Sequence, residues 1–312
     1  FLRLTNSARA AALGGIQIAL PDADPELLLQ NPALLSPEMN QTLSVSYARY
    51  LAGIGFGYGS YAMNLGKFGM AAAGIQFVDY GQFVAADENG LITGSFSASD
   101  YALNLTYAKT VGTLFTVGGS FKTIYSHLES YHSFGLAADL GIVRHTSDSL
   151  TTIALCIKHL GAQITTYYDN GPREKLDWSL QFGYTRKLQY APVRWSITAY
   201  DLNQWSDPAN ASDSNGNDQE VSNTRLFPML LRHLSMGAEI FPEHTVTFRI
   251  GYNFQRDADL SSSYHSGMTG FTTGLGIRLP AISFNYALSS YSQSVLVHNL
   301  SLSSNLSRLK RK

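Results

Sequence analysis

From residue 42 onward, large apolar side chains recur at every second position. Ile54, Phe56 and Tyr58 alternate with Gly55, Gly57 and Gly59, and Tyr101, Leu103, Leu105 and Tyr107 alternate with Ala102, Asn104 and Thr106. Trp178, Leu180, Phe182 and Tyr184 follow the same rule, as do Val246 to Tyr252 and Ile282 to Leu288. Successive side chains of a strand point to opposite faces, so this period predicts strands with one apolar face. Fourteen such runs lie at 42–50, 54–64, 67–79, 98–109, 112–125, 131–143, 149–159, 176–187, 192–203, 229–240, 244–254, 270–279, 281–290 and 295–304. Most are about ten residues or longer, against a usual strand mode of about 5–6 and about 9–11 for a tilted membrane strand.

The connections carry a second regularity. Odd-numbered ones are mostly long, at 80–97, 160–175, 204–228 and 255–269, while even-numbered ones are short, at 65–66, 110–111, 144–148, 188–191, 241–243 and Pro280. Connections 51–53 and 291–294 are short although they fall on the long side. Short turns at one end and long loops at the other describe an outer-membrane barrel. A soluble sandwich also alternates, but it needs no such asymmetry and carries many Lys and Glu on its outer faces. The expected fold is all-β: a 14-stranded antiparallel transmembrane β-barrel. An even strand number puts both strand ends, and by this reading both termini, on the short-turn, periplasmic side.

Charge supports the same phase. The mid-strand charges are Lys122, Asp139, Lys158, Arg194, Arg232, Glu239, Arg249 and Arg278, and all but Arg232 oppose the large apolar residues of their own strand. A charge facing lipid at the midplane costs about 2–4 kcal/mol, which this placement avoids. Lys109 and Arg186 share the apolar phase at the short-turn end, where long stems reach water. Tyr50, Tyr61, Tyr80, Tyr107, Tyr125, Trp178, Tyr184, Tyr200 and Tyr291 lie near strand ends, as an aromatic girdle requires.

Composition agrees. Charged residues make up 14% of the 312, against about 25% in soluble domains. A net charge of −1 gives no general attraction to nucleic acid. The hydrophobic content of 45% suffices for a folded body. No apolar run reaches the length of a membrane helix. The lone Cys156 has no partner for an internal disulfide.

Residues 1–41 stand apart. Ser7 to Leu13 reads as a short helix closed by Gly14-Gly15, and Asp24-Pro25 starts a second that ends before Pro32. This segment is expected to plug the lumen, with small inward residues such as Gly118, Gly141, Gly237 and Gly274 leaving room and Arg9 pairing with Asp139 or Glu239. The organisation is thus 1–41 hatch, 42–304 barrel and 305–312 basic periplasmic tail.

No catalytic constellation emerges. His298 near Ser301 and Ser303 has no acid beside it. His127, His132, His233, His244, His265 and His298 are scattered, so neither a metal site nor a cofactor is expected. Partner contact is expected on the long loops, through Tyr167, Tyr168 and Arg173 on one and Trp205, Asp213 and Asp218 on another. Exposed aromatics and Arg are the usual interface anchors. Asp213 to Asp218 faintly follows a calcium loop but lacks the closing glutamate.

Ser7 to Gly15, Asp22 and Asn31-Pro32-Ala33-Leu34 together resemble the N-terminal hatch of FadL-like barrels, carried here by Arg9, Gly14, Gly15, Asn31 and Pro32. Segments 73–81, 94–104, 125–131 and 160–168 are similar to the PorQ-like outer-membrane components of type IX secretion in Bacteroidota. That resemblance implies an anchor rather than an enzyme. It would tether a PorZ-like surface protein through extracellular loops. Through that protein it would serve the PorU/PorV attachment complex, which matures cargo and links it to lipopolysaccharide. The alternative is a FadL-like transporter of hydrophobic small molecules, although inward Gly, Ser, Thr, Asn and charge offer little apolar lining. The basic end, Arg308 to Lys312, departs from the aromatic terminus common in outer-membrane barrels.

Overall fold

The computed structural model describes residues 1–168, 171, 173–204, 226–260, 269–292 and 295–309. Fourteen antiparallel strands close on themselves, with β1 pairing both β2 and β14. They are β1 (Thr42–Arg49), β2 (Gly55–Asn64), β3 (Met70–Ala86), β4 (Ile92–Val111), β5 (Phe115–Leu128), β6 (Tyr131–His145) and β7 (Thr151–Thr165). The second half holds β8 (Ser179–Lys187), β9 (Val193–Ala199), β10 (Leu234–Ile240), β11 (Val246–Asn253), β12 (Phe271–Arg278), β13 (Ile282–Ser292) and β14 (Val295–Asn305). Among the described residues four short α-helices accompany them: α1 (Ala8–Ala12), α2 (Leu226–Arg232), α3 (Phe254–Leu260) and α4 (Leu306–Leu309).

The wall is inverted relative to a soluble protein. Leu43, Val45, Leu103, Leu105, Phe248, Ile250, Leu300 and Leu302 are exposed on the outside. Their alternates, Ser44, Ser46, Ala102, Asn104, Thr247, Arg249, Asn299 and Ser301, are buried inside. Closure pairs every strand edge, which is the requirement for crossing hydrocarbon. A continuous apolar belt on such a barrel faces lipid, and the chain spans a membrane. Lys122, Asp139, Lys158, Arg194, Glu239 and Arg249 all turn inward and are buried. Arg232, the exception to the charge rule, lies in α2 and not in a strand, and its guanidinium meets Asp259 at 2.5 Å.

Some expected loops are strand. Residues 80–97 form the top of the β3–β4 hairpin, with only 87–91 as turn. Phe83 and Phe96 stack across it at 5.3 Å, and the Asp87 carboxylate accepts the N–H groups of Asn89 and Leu91 to close the turn. At about 3.3 Å per residue β4 runs roughly 66 Å, or about 47 Å in height at a 45° tilt, so the hairpin stands well beyond an apolar band about 25 Å tall. Likewise β7 extends to Thr165, while β9 stops at Ala199 and β10 starts at Leu234 after α2.

The girdle is also smaller than expected. Tyr107, Tyr125 and Trp178 face out, but Tyr200 is buried in the lumen, donating to Asn253 Oδ1 at 3.2 Å. Tyr50 and Tyr291 meet edge to face at 5.0 Å and line the cavity at the long-loop mouth. Phe1 and Leu4 of the hatch pack in the same cluster as Tyr50, and the Arg256 guanidinium lies over the Tyr291 ring. The terminus expectation needs the same correction. The strand ends, Thr42 and Asn305, pair at the short-turn end, but Phe1 lies in the lumen toward the opposite mouth, beside Tyr50, Phe56 and Tyr80.

Depth-dependent cost follows from this wall. Leu105→Arg, at the middle of the belt, is expected to lower stability by about 2–4 kcal/mol in urea titrations of the barrel in liposomes, whereas Val111→Arg at the short-turn rim costs about 0–1 kcal/mol.

Candidate functional site

The lumen is filled by residues 1–41. Ser7 caps α1 by accepting the Ala10 N–H at 3.2 Å. Asp24 caps a 3-10 turn over Pro25–Leu29 through Glu26 N–H at 3.1 Å, and Asn31 caps another over Pro32–Leu34 through Ala33 N–H at 2.9 Å. Proline at the first position of each turn presets φ where no N–H is needed. Gly14 and Gly15 sit at φ +93° and +95°, a region that side chains disfavour, and reverse the chain after α1. The reversal is pinned to the wall. Gly14 N–H donates to Thr272 Oγ1 at 3.0 Å, and Asn253 Nδ2 donates to Gly14 O at 2.9 Å.

Wall and hatch share one apolar core. Leu13, Ile18, Leu20, Leu27 and Leu34 pack with Val143, Ala154 and Cys156 of the wall. Leu28, Leu35 and Met39 pack with Ala62, Met70, Ala72 and Ala108. Small wall residues make this fit possible: a methyl group on Gly118 would lie 2.5 Å from Ala33 N, and one on Gly237 2.7 Å from Leu13 Cβ. Gly59, by contrast, has no hatch atom near it.

A buried ion cluster joins hatch to wall on the β9–β11 side. Arg9 donates from Nε to Glu239 Oε1 and from Nη2 to Oε2, both at 3.0 Å. The same carboxylate accepts Arg194 Nε at 2.7 Å and Arg249 Nε at 2.9 Å. Asp22 of the hatch bridges Arg9 and Arg194. Of the two partners expected for Arg9, Glu239 is the one used; Asp139 pairs with Lys122 at 2.6 Å. Burial alone pushes the Asp22 carboxyl up, but Arg9 and Arg194 outweigh it and hold the group well below the usual carboxylate range. Glu26 behaves oppositely: burial, reinforced by Asp24, pushes its carboxyl well above the ordinary value. The Ser7 and Ser301 hydroxyls face Glu26, and their oxygens already accept backbone N–H groups, so their O–H protons are free to turn toward it.

Toward the long-loop mouth the strand alternation breaks in β7, one of several register shifts among the described strands. In β7, Lys158 and His159 both turn inward opposite Asp139, with His159 at φ +59° and its N–H donating to Asp139 Oδ1 at 2.8 Å. This bulge delivers Lys158 Nζ to Leu29 O at 2.6 Å. Above it lies a cavity of about 400 Å³, bounded by Leu2, Leu4, Ile16, Lys158, Arg256 and Tyr291 among others. The expected apolar poverty of the lumen is therefore relieved by the hatch, whose N-terminal residues supply the apolar lining.

The sequence-derived sites are distributed as follows. Arg9, Gly14, Asn31 and Pro32 meet the wall or its ion cluster, as described above or through Gly118 and Gly141, while Gly15 accepts the Thr5 hydroxyl within the hatch at 2.9 Å. Tyr167 turns down and donates to Ser126 Oγ at 2.7 Å, while Tyr168, 62% exposed, and Arg173 face solvent. Trp205, Asp213 and Asp218 lie outside the described residues. Ser301 is buried in the lumen, while His298 faces out with Nδ1 on the Tyr286 hydroxyl at 2.7 Å, so the two cannot act together. His127 and His132 are not scattered: the β5–β6 register places them directly opposite each other. The sequence signal was their symmetric position about a two-residue turn, which is read only once β5 is extended past Tyr125.

Two outcomes test the hatch. Glu239→Gln strips the shared charge from three arginines and is expected to cost about 3–5 kcal/mol, seen as earlier urea release of residues 1–41 to protease. For pH, a carboxyl raised on folding contributes stability below its unfolded value and loses it as pH rises through the folded value. Glu26→Gln should therefore raise the urea midpoint at pH 8 relative to the unsubstituted chain and leave it unchanged near pH 4. Asp22, lowered on folding, has the opposite sign: its contribution is complete above about pH 4 and declines below.

No protein-family model and no curated protein matches the chain. Solved structures do. The Pseudomonas putida toluene transporter TodX superposes with a TM-score of 0.57 at 13% identity, over 98% of this chain and 99% of that one. The CymD monoaromatic hydrocarbon channel gives 0.57 at 12%, over 98% of each chain. A Pseudomonas aeruginosa FadL homologue gives 0.54 at 12%, over 96% and 98%. The first of these neighbours is a transporter and the second a channel. At such identities what is shared is the architecture, and the chain has the fold of the FadL-like barrels.

Proposed function

We propose that the chain works in the outer membrane of a Gram-negative bacterium, in a Bacteroidota type IX secretion system, as a closed barrel whose long-loop end holds a PorZ-like surface protein for the PorU/PorV attachment complex. The observation that carries this reading is the locked hatch. Glu239, Asp22 and three arginines join it to the wall in a buried cluster. Withdrawing the hatch would strand those charges, a penalty of about 3–5 kcal/mol for one broken pair alone. A wall sealed in this way serves better as a rigid platform than as an axial pore. The tall β3–β4 hairpin and the exposed Tyr168 and Arg173 supply the platform's outer surface.

Passage of hydrophobic small molecules is the second reading, and the fold comparisons support it more directly than they support the anchor. Its specific observation is the cavity of about 400 Å³ at the long-loop mouth, partly lined by Leu2, Leu4 and Ile16.

The two readings separate in one preparation. In the anchor reading, the barrel extracted in mild detergent retains a large surface protein, and Tyr168→Ala with Arg173→Ala lowers that retention at least about 30-fold, as loss of a hot spot of about 2 kcal/mol requires. A barrel that purifies alone, and that admits a monoaromatic probe into liposomes, would overturn the anchor and establish passage.

A further inference from the structure

We propose that His127 and His132 form a two-imidazole site for a divalent transition metal on the outer face of the β5–β6 hairpin. β5 and β6 are joined by Glu129 and Ser130, and the register pairs Leu128 with Tyr131 and then His127 with His132. Side chains directly opposed across an antiparallel pair have Cβ atoms about 4.5–5.5 Å apart. Here the two imidazole centroids lie 4.9 Å apart, tilted by 31°. Both rings share the outward phase. The residues between them and the barrel, Ser126 and Ser133, turn inward, with Ser126 donating to Asp100 and Ser133 to Thr165 O at 2.9 Å.

Tyr125 completes the arrangement. Its hydroxyl lies 2.8 Å from His132 Nδ1, and its ring stacks on that imidazole at 5.8 Å. The contact occupies Nδ1, holds the ring orientation and leaves Nε2 as the nitrogen open to a metal. With a metal on Nε2, Nδ1 keeps the proton and donates it to the phenol oxygen, the usual outer support of a ligating histidine. Metal–nitrogen bonds of about 2.0–2.1 Å place two ligand nitrogens no more than about 4.2 Å apart, a span that rings at this separation reach by small rotations.

Ligand chemistry sets the metal. Two imidazoles suit Zn²⁺, Ni²⁺ or Cu²⁺ rather than Ca²⁺ or Mg²⁺, which take oxygen. No cluster of three or more His, Cys, Asp or Glu ligands occurs among the described residues. The hairpin therefore offers half of a coordination shell, with the other positions open to water or to an oxygen donor brought from outside. Such a site binds exchangeably and plays no part in holding the barrel closed. It stands on the hairpin geometry and is independent of either functional reading.

The test is a Cu²⁺ titration of the full barrel in detergent, followed by electron paramagnetic resonance, with Zn²⁺ titrated by calorimetry in parallel. A single equivalent showing coupling to two nitrogens is expected, with His127→Ala and His132→Ala each weakening it at least tenfold. Tyr125→Phe, which keeps both ligands and removes only the outer support, is expected to weaken it about tenfold. Heat-modifiable migration on gels reports that each variant is folded, and His127→Asn or His132→Gln replaces any alanine variant that is not. Binding that survives both histidine substitutions, or no binding below millimolar metal, would sink the proposal.

Discussion

Glu239 is the point through which hatch and barrel become one body. Its two oxygens accept from Arg9 of the hatch and from Arg194 and Arg249 of adjacent strands. Each of those groups would be untenable alone in the lumen, where an unpaired charge costs several kcal/mol. Together they tie α1 to β9, β10 and β11. The double glycine that follows α1 can then dock on Thr272 and Asn253, and the leucines beyond it reach the wall. The cluster thus places the hatch, and the hatch in turn decides which wall positions must be small.

The wall answers to two solvents at once. Outside, lipid demands apolar side chains and penalises charge. Inside, the hatch demands small residues where its backbone passes and opposite charge where Arg9 and Asp22 arrive. Strand geometry lets one sequence meet both demands, because alternate residues belong to different faces. The bulge at Lys158 and His159 is a local departure: it spends two successive residues on the lumen, and Lys158 uses that position to hold Leu29 O.

The long-loop end is uneven. β3 to β7 rise high on one side, while β8 to β12 are short and give way to helices α2 and α3. Between them the first residues of the chain enter the mouth and line a cavity with Leu2 and Leu4. A partner meeting this end would face a tall hairpin on one flank and an open recess on the other. The same recess is what a passage for small hydrophobic molecules would use, which is why the fold by itself supports both functional readings.

Period-two alternation, charge phase and turn spacing in the sequence determined the barrel, its strand number and the inward course of Lys122, Asp139, Arg194, Glu239 and Arg249. These features are local: each strand declares its own two faces. The helix start at Asp24 and the short helix from Ser7 were legible for the same reason, whereas the turn that Asn31 caps over Pro32–Leu34 was not. Tertiary structure alone decided that Arg9 meets Glu239 and not Asp139, that Tyr200 turns into the lumen, and that Phe1 reaches the far mouth. It also decided that His127 and His132 face each other. Those outcomes depend on register and on how far the hatch extends across the lumen, and both are set by packing between residues distant in the chain.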